Sequence, residues 1–265
     1  MTEPPRTLTV MGERVTPLSV PAWLEAVSAA VEARERRLFV SQNMHGMYVI
    51  KRDPRMREVH RQAHVIRVDG MPVVWVARAG GLELRREERA GFMDLMHPLM
   101  ARAAERGWRV YVLAGKPGVA ERAAEVLRAR HPGLAIATDD GYFEIEPGHP
   151  EVTERLERLR AYAPHVVLVG LGMPRQEHFL LEHAGALPAT ALLTCGAAFD
   201  YVAGAVPMCP RWLSAIGFEW AYRLLAEPRR LAHRYLIEPL SLVPFVVRDV
   251  VQRGRAGREE HDAEA

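Results

Sequence analysis

One stretch, Val166-Val167-Leu168-Val169-Gly170-Leu171-Gly172-Met173-Pro174-Arg175-Gln176-Glu177, constrains this chain more than any other. Five apolar or small residues in a row, leading into Gly-x-Gly, predict a parallel strand covered on both faces, a tight turn and a helix start. Pro174 suits the first helical turn, where its missing N–H is no loss. In open α/β sheets the crevice beyond the carboxyl ends of the strands is where ligands bind. A following helix also offers free N–H groups to an anion. The same turn opens the dinucleotide fingerprint, but the third glycine is absent, since Met173, Pro174 and Arg175 follow Gly172. An NAD(P)-dependent oxidoreductase is therefore an alternative that rests on Gly170-x-Gly172 alone.

The rest of the chain repeats this rhythm. Strands are expected at Leu38 to Val40, His64 to Val68, Arg109 to Ala114, Leu134 to Ala137, from His165, and at Thr190 to Thr194, with helical patterns between them. Such alternation predicts a doubly wound, mostly parallel sheet, a Rossmann-like α/β layer over residues 1–204. Ahead of it, Thr7 to Val10 and Arg14 to Thr16 suggest a hairpin about Gly12, and Pro21 opens a helix reaching Arg36. Asp53-Pro54 divides Met44 to Gln62 into two short helices. Glu83 to Arg89 reads as a mobile loop. Beyond residue 204 the alternation stops. Pro210 to Leu225 and Arg229 to Arg253 read as helices interrupted at Pro228, Pro239 and Pro244, a C-terminal appendage over residues 205–253. Residues 254–265 are polar and read as a disordered tail.

Composition excludes several classes. With 49% hydrophobic residues in 265, a sizeable core is available, and a formal charge of +2 without basic runs interleaved with aromatics argues against nucleic acid. Lys51 and Lys116 are the only lysines, so the cations are nearly all arginine, whose planar fork suits phosphate. Nine arginines against four acidic residues between Ala205 and Arg258 place the positive excess near the C-terminus. Two cysteines, Cys195 and Cys209, suggest a reducing compartment. No signal-peptide pattern is read in Met1 to Val20, and Leu240 to Val247 is far shorter than the ~20 residues of a membrane span.

Strand ends gather Ser41, Asn43, Asp69, Gly115, Gly172, Gln176, Glu177 and Asp200. Asp69 beside Gly70 either forms the turn or faces the crevice. Gly115-Lys116-Pro117-Gly118 lacks P-loop spacing, and no G-x-S-x-G elbow occurs. His178 and His183 are five apart, not the four that share a helix face, and no Asp-x-Asp occurs, so no metal is expected; nor is a cofactor expected.

These ends, together with Ser41-Gln42-Asn43, Asp69-Gly70, Glu88-Arg89-Ala90-Gly91, Gly141-Tyr142-Phe143, the focal stretch, Gly196-Ala197-Ala198-Phe199-Asp200 with Gly204, Gly217-Phe218-Glu219-Trp220-Ala221-Tyr222-Arg223-Leu224, Glu227-Pro228-Arg229-Arg230 and Arg234-Tyr235, resemble the WecG/TagA/CpsF glycosyltransferases over about Leu38 to Tyr235. Order and spacing together carry the resemblance. It implies transfer of a sugar, often N-acetylmannosamine or its uronic acid, from a UDP donor to a polyprenyl-diphosphate-linked acceptor, with inversion, at the inner face of the bacterial membrane. By that resemblance Asp69 is the base, Ser41 and Asn43 are its pocket neighbours, and Gln176 and Glu177 surround the donor. Arg89, Gly115, Gly172, Pro174, Arg175 and Asp200 complete the candidate substrate-binding set. Departing UDP develops charge on its β-phosphate, which cations must stabilise. Arg223, Arg230 and Arg234 are the candidates for this diphosphate or the acceptor's, the alternative being a solvated helix face.

Leu236 to Val251 carries apolar residues among Arg234, Arg248 and Arg253, as an interfacial helix near anionic lipid would. A cytoplasmic protein peripheral to the membrane is expected. Packing of this helix on the core, or on a partner subunit in a homo-oligomer, is the alternative. Departures from the family pattern are Ser41 for Thr, Asp140 for His, and Met208-Cys209-Pro210 for Arg-Ala-Pro. The last motivates a third reading, a non-catalytic membrane-surface scaffold.

Overall fold

The computed structural model describes residues 5–264; for Arg211, Ala215 and residues 253–264 it describes the backbone alone. Strands β1 (Leu8–Val10) and β2 (Glu13–Val15) form the expected hairpin, turning at Met11 and Gly12, both at positive φ. Helix α1 (Val20–Ala33) starts at Ser19, whose Oγ accepts the Ala22 N–H at 3.4 Å. Then follow β3 (Arg37–Gln42), α2 (Met44–Ile50) capped by Asn43, α3 (Pro54–Gln62) capped by Asp53, and β4 (Val65–Val68). Helices α4 (Met71–Ala79) and α5 (Phe92–Glu105) lead to β5 (Arg109–Ala114). The alternation continues through α6 (Val119–Arg130), β6 (Ala135–Asp139), α7 (Pro150–Tyr162), β7 (Val166–Gly170), α8 (Arg175–His183) and β8 (Ala191–Thr194).

Six strands form one sheet in the order β4-β3-β8-β7-β5-β6, every pairing parallel. Alternation along each strand divides its side chains between two cores. Phe39, Val112 and Leu168 face α1, α5 and α6, whereas Leu38, Leu113 and Val169 face α3, α7 and α8. A third cluster joins the hairpin to α2 and α4 through Met11, Met47 and Val74. With helices on both faces, the strands are almost wholly buried except at the outer strand β6, which explains their near-continuous apolar runs.

After α9 (Ala198–Val202) come α10 (Arg211–Ala215), α11 (Glu219–Ala226), α12 (Pro228–Ala232), a π turn at His233–Ile237, and α13 (Glu238–Glu264). Some details differ from the sequence reading. Gly217, at φ +93°, splits the expected Pro210 to Leu225 helix in two. Pro239 lies in the first turn of α13 and Pro244 within it, so neither ends the helix. The backbone of α13 continues to Glu264. The loop Glu83 to Arg89, expected to be mobile, is held in place. Leu84 is buried in the third cluster and its carbonyl accepts from Arg78, while Arg6 reaches the Glu83 carbonyl and the Glu88 carboxylate.

Candidate active site

At the carboxyl end of the sheet the appendage closes over the strand ends and leaves a cleft of two lobes, about 330 and 200 Å³. Together they fall in the size range of small-molecule sites, roughly 300–1,000 Å³. Asn43, Asp69, Arg89, Ser214, Glu219, Arg223 and Arg234 line both. The larger lobe is apolar and aromatic, with Met71, Pro72, Trp75, Trp220 and Tyr235. The smaller is polar, with Ser41, Arg67, Asp94, Gln176 and Arg230.

Asp69 stands on the shared wall, just past β4. Its N–H donates to the Gln42 carbonyl at 2.9 Å, which extends the β3–β4 pairing by one residue, and Gly70 at φ +93° then turns the chain away. One carboxylate oxygen lies 3.8 Å from an Arg67 nitrogen, and the other 3.5 Å from the Asn43 amide, whose own oxygen caps α2 by accepting the Gly46 N–H. Arg67 is buried. Burial pulls its pKa below the ordinary arginine value, the Asp69 carboxylate opposes that shift, and the Arg67 guanidinium donates to the Ala90 carbonyl. Asp69 keeps about a third of its side-chain surface open to the cleft. It is thus an oriented carboxylate with room for a substrate hydroxyl.

The polar lobe carries five guanidinium groups, Arg67, Arg89, Arg223, Arg230 and Arg234, against the carboxylates of Asp69, Asp94 and Glu219. Arg89 is paired with Asp94 at 3.0 Å and Arg230 with Glu227 at 2.6 Å. Arg223 and Arg234 differ. Each has a buried Nε with no hydrogen-bond partner, a costly arrangement unless a ligand supplies the acceptor. Tyr201 lies under Arg223, its ring centroid 6.0 Å away. Burial, with Arg223 adding to it, holds Arg234 below its usual pKa.

Of the residues expected from the sequence, Ser41, Asn43, Asp69, Arg89, Gly172, Gln176, Arg223, Arg230 and Arg234 line the cleft. Gly115, Pro174, Arg175, Glu177 and Asp200 line neither lobe. Gly115 makes a left-handed turn in which a Cβ would meet Val119 at 2.7 Å. Pro174 immediately precedes α8 rather than opening it. Arg175 turns away to donate to the carbonyls of Gly141 and Phe143. Glu177 is wholly buried and accepts from the Gln176 amide at 2.7 Å, while the Gln176 oxygen accepts the Gly196 N–H at 3.2 Å. Asp200 lies behind Gly115, its pKa raised by burial against the opposing charges of Arg230 and Lys116.

Sequence reasoning missed Arg67, although a signal was present. An arginine inside an apolar parallel strand needs a partner, and Asp69, two residues on, leans to the same face. Trp75, Glu219, Trp220 and Tyr235 had no assigned role, and His45 and Glu238 were not singled out. Among the described residues no group of three or more His, Cys, Asp or Glu is arranged to hold a metal, and both cysteines are free. None of the described helices is long and apolar enough to cross a membrane.

A parallel α/β sheet with an oriented carboxylate and clustered arginines beyond its strand ends has the makings of a group-transfer enzyme acting on an anionic substrate. The chain belongs to the glycosyl transferase WecG/TagA/CpsF family, whose model matches residues 8–256. It is a glycosyltransferase of cell-surface polysaccharide synthesis, and the dehydrogenase reading of Gly170-x-Gly172 gives way.

Proposed function

We propose that this enzyme moves an N-acetylmannosamine-like sugar from a UDP-sugar to a polyprenyl-diphosphate-linked acceptor, inverting the anomeric carbon. The observation that carries the reading is the position of Asp69 on the one wall common to an arginine-rich lobe and an aromatic lobe. The donor diphosphate occupies the first, against Arg223, Arg230 and Arg234. The acceptor sugar occupies the second, its apolar face on Trp220 and Tyr235. Asp69 takes the proton from the acceptor hydroxyl as that oxygen attacks the anomeric carbon. The bond from this carbon to the β-phosphate oxygen breaks, and guanidinium groups already in place receive the charge that develops on UDP. A single displacement of this kind inverts the centre.

Support for action at the inner face of a membrane comes from the appendage. Leu225, Leu236, Ile237, Leu240, Val243 and Val247 are exposed, in helices that also carry Arg229 and Arg248. A homo-oligomer covering the same face is the competing use, and vesicle binding at monomer concentrations separates the two.

The test offers a panel of UDP-sugars with a short-chain polyprenyl-diphosphate-sugar in the presence of chelator, and weighs the products by mass spectrometry. Asp69→Asn should lose about 10²–10⁴-fold in turnover while UDP affinity is nearly unchanged. Full activity in that variant would remove Asp69 from the mechanism. Vesicle binding without turnover of any UDP-sugar would instead favour the scaffold reading, which Met208 in place of the family's arginine motivates.

A further inference from the structure

Glu238, the first residue of α13, is 6% exposed. A carboxylate so buried needs partners. Its Oε2 lies 2.6 Å from His45 Nδ1, and its Oε1 lies 3.5 Å from His233 Nδ1. His45 belongs to the first turn of α2, two residues after Asn43, and the Met173 carbonyl also engages its ring. Residues 43–45 therefore touch Asp69 at one end and the C-terminal helices at the other.

On the appendage side, Glu238 directly follows the five-residue π turn His233–Ile237. Isolated π turns inside helices frequently mark functional positions. Arg234 sits in this one, four residues before Glu238, lining both lobes with its Nε unpartnered. Within the turn the Arg234 guanidinium meets only the Tyr235 ring, 5.7 Å to its centroid, among the described residues, and its stem has rotamer freedom to lose. The carboxylate locked onto α2 fixes the backbone that carries it. The rest of α13 is anchored separately. Asp249 accepts the Met11 N–H, Leu242 is buried in the third core cluster, and the Lys51 ammonium lies 5.0 Å from the Phe245 ring centroid.

We propose that the His45–Glu238 contact is a clasp that sets Arg234 in the cleft, so that Glu238 is a positioning residue acting through that arginine. The inference builds on the transfer reaction above for one arm of its test only. Because α13 has other anchors, breaking the clasp displaces Arg234 without releasing the helix.

The experiment is a double-mutant cycle on the full chain, using Glu238→Gln, Arg234→Ala and the pair. Inorganic pyrophosphate affinity is measured by calorimetry, and kcat and KM with the UDP-sugar that the wild type accepts. Each single change should weaken pyrophosphate binding and lower kcat/KM about ten- to hundredfold, the scale of one charged hydrogen bond. The double variant should be no worse than Arg234→Ala alone. His45→Ala should behave as Glu238→Gln does, whereas His45→Asn, which retains a donor near the Nδ1 position, should recover most of the loss. Losses that multiply in the double variant overturn the clasp, as does His45→Asn falling as far as His45→Ala. Should the wild type turn over no UDP-sugar, the transfer reading fails while the pyrophosphate cycle still decides the clasp.

Discussion

Replacing Glu177 by glutamine should stabilise the protein at neutral pH, and the gain should grow with pH in a calculable way. Glu177 is fully buried at the start of α8, one oxygen accepting from the Gln176 amide and the other without a hydrogen-bond partner. Burial, with the Asp53 charge adding to it, pushes its pKa from 4.5 up to about 7. A carboxyl raised in this way binds more protons folded than unfolded between those two values, so stability falls as pH rises through that window. Below the unfolded value the effect vanishes; above the folded value it levels off at about 3 kcal/mol, from 1.36 kcal/mol per unit. Glutamine has the same shape, can still accept from Gln176, and does not titrate. Urea unfolding of both proteins between about pH 5 and about pH 8 should show the stability difference widening by about 2.5 kcal/mol in favour of the variant. A difference constant to within about 0.5 kcal/mol over that range would mean that Glu177 is ionised throughout, and the account of its burial would be wrong.

Other expectations follow from the cleft walls. Gly217→Ala would place a Cβ 2.7 Å from Trp75 and 2.8 Å from Met71 at φ +93°, so it should cost about 1–3 kcal/mol in chemical unfolding and raise the acceptor KM through displaced Trp75. Trp220→Ala removes a ring packed against Phe218 and Tyr235 in the apolar lobe. Initial-rate kinetics should show the acceptor KM rising about tenfold with the donor KM unchanged, as loss of uniform binding does; an equal rise in donor KM would contradict the division of the lobes.

Much of this was legible in the residue order because it depends on local rules. Apolar runs of four to six residues with glycine turns gave the parallel strands, and Asp53-Pro54 separated α2 from α3 where expected. Asp69, Ser41 and Asn43 line one cleft, as expected where strand ends in such sheets converge on one crevice. The failures lie where direction matters more than position. Successive helical residues point about 100° apart, so Arg175, Gln176 and Glu177 cannot share a target. Gln176 meets the cleft, Arg175 holds the 141–143 loop, and Glu177 turns into the protein. The aromatic lobe had no local signature at all, because Trp75 and Trp220 come from α4 and α11 and meet only through the folded chain.

The charge of the polar lobe shows why the appendage matters to the site. From the sheet and its loops come Arg67 and Arg89, balanced by Asp69 and Asp94, so the α/β layer alone offers no net attraction to a diphosphate. Arg223, Arg230 and Arg234 against Glu219 supply the entire positive excess, and all four lie in α11, α12 and the π turn. Two of these arginines reach the cleft with buried Nε groups that lack partners, which an incoming anion would satisfy. The C-terminal helices therefore supply the positive excess that makes an otherwise neutral crevice attractive to an anion.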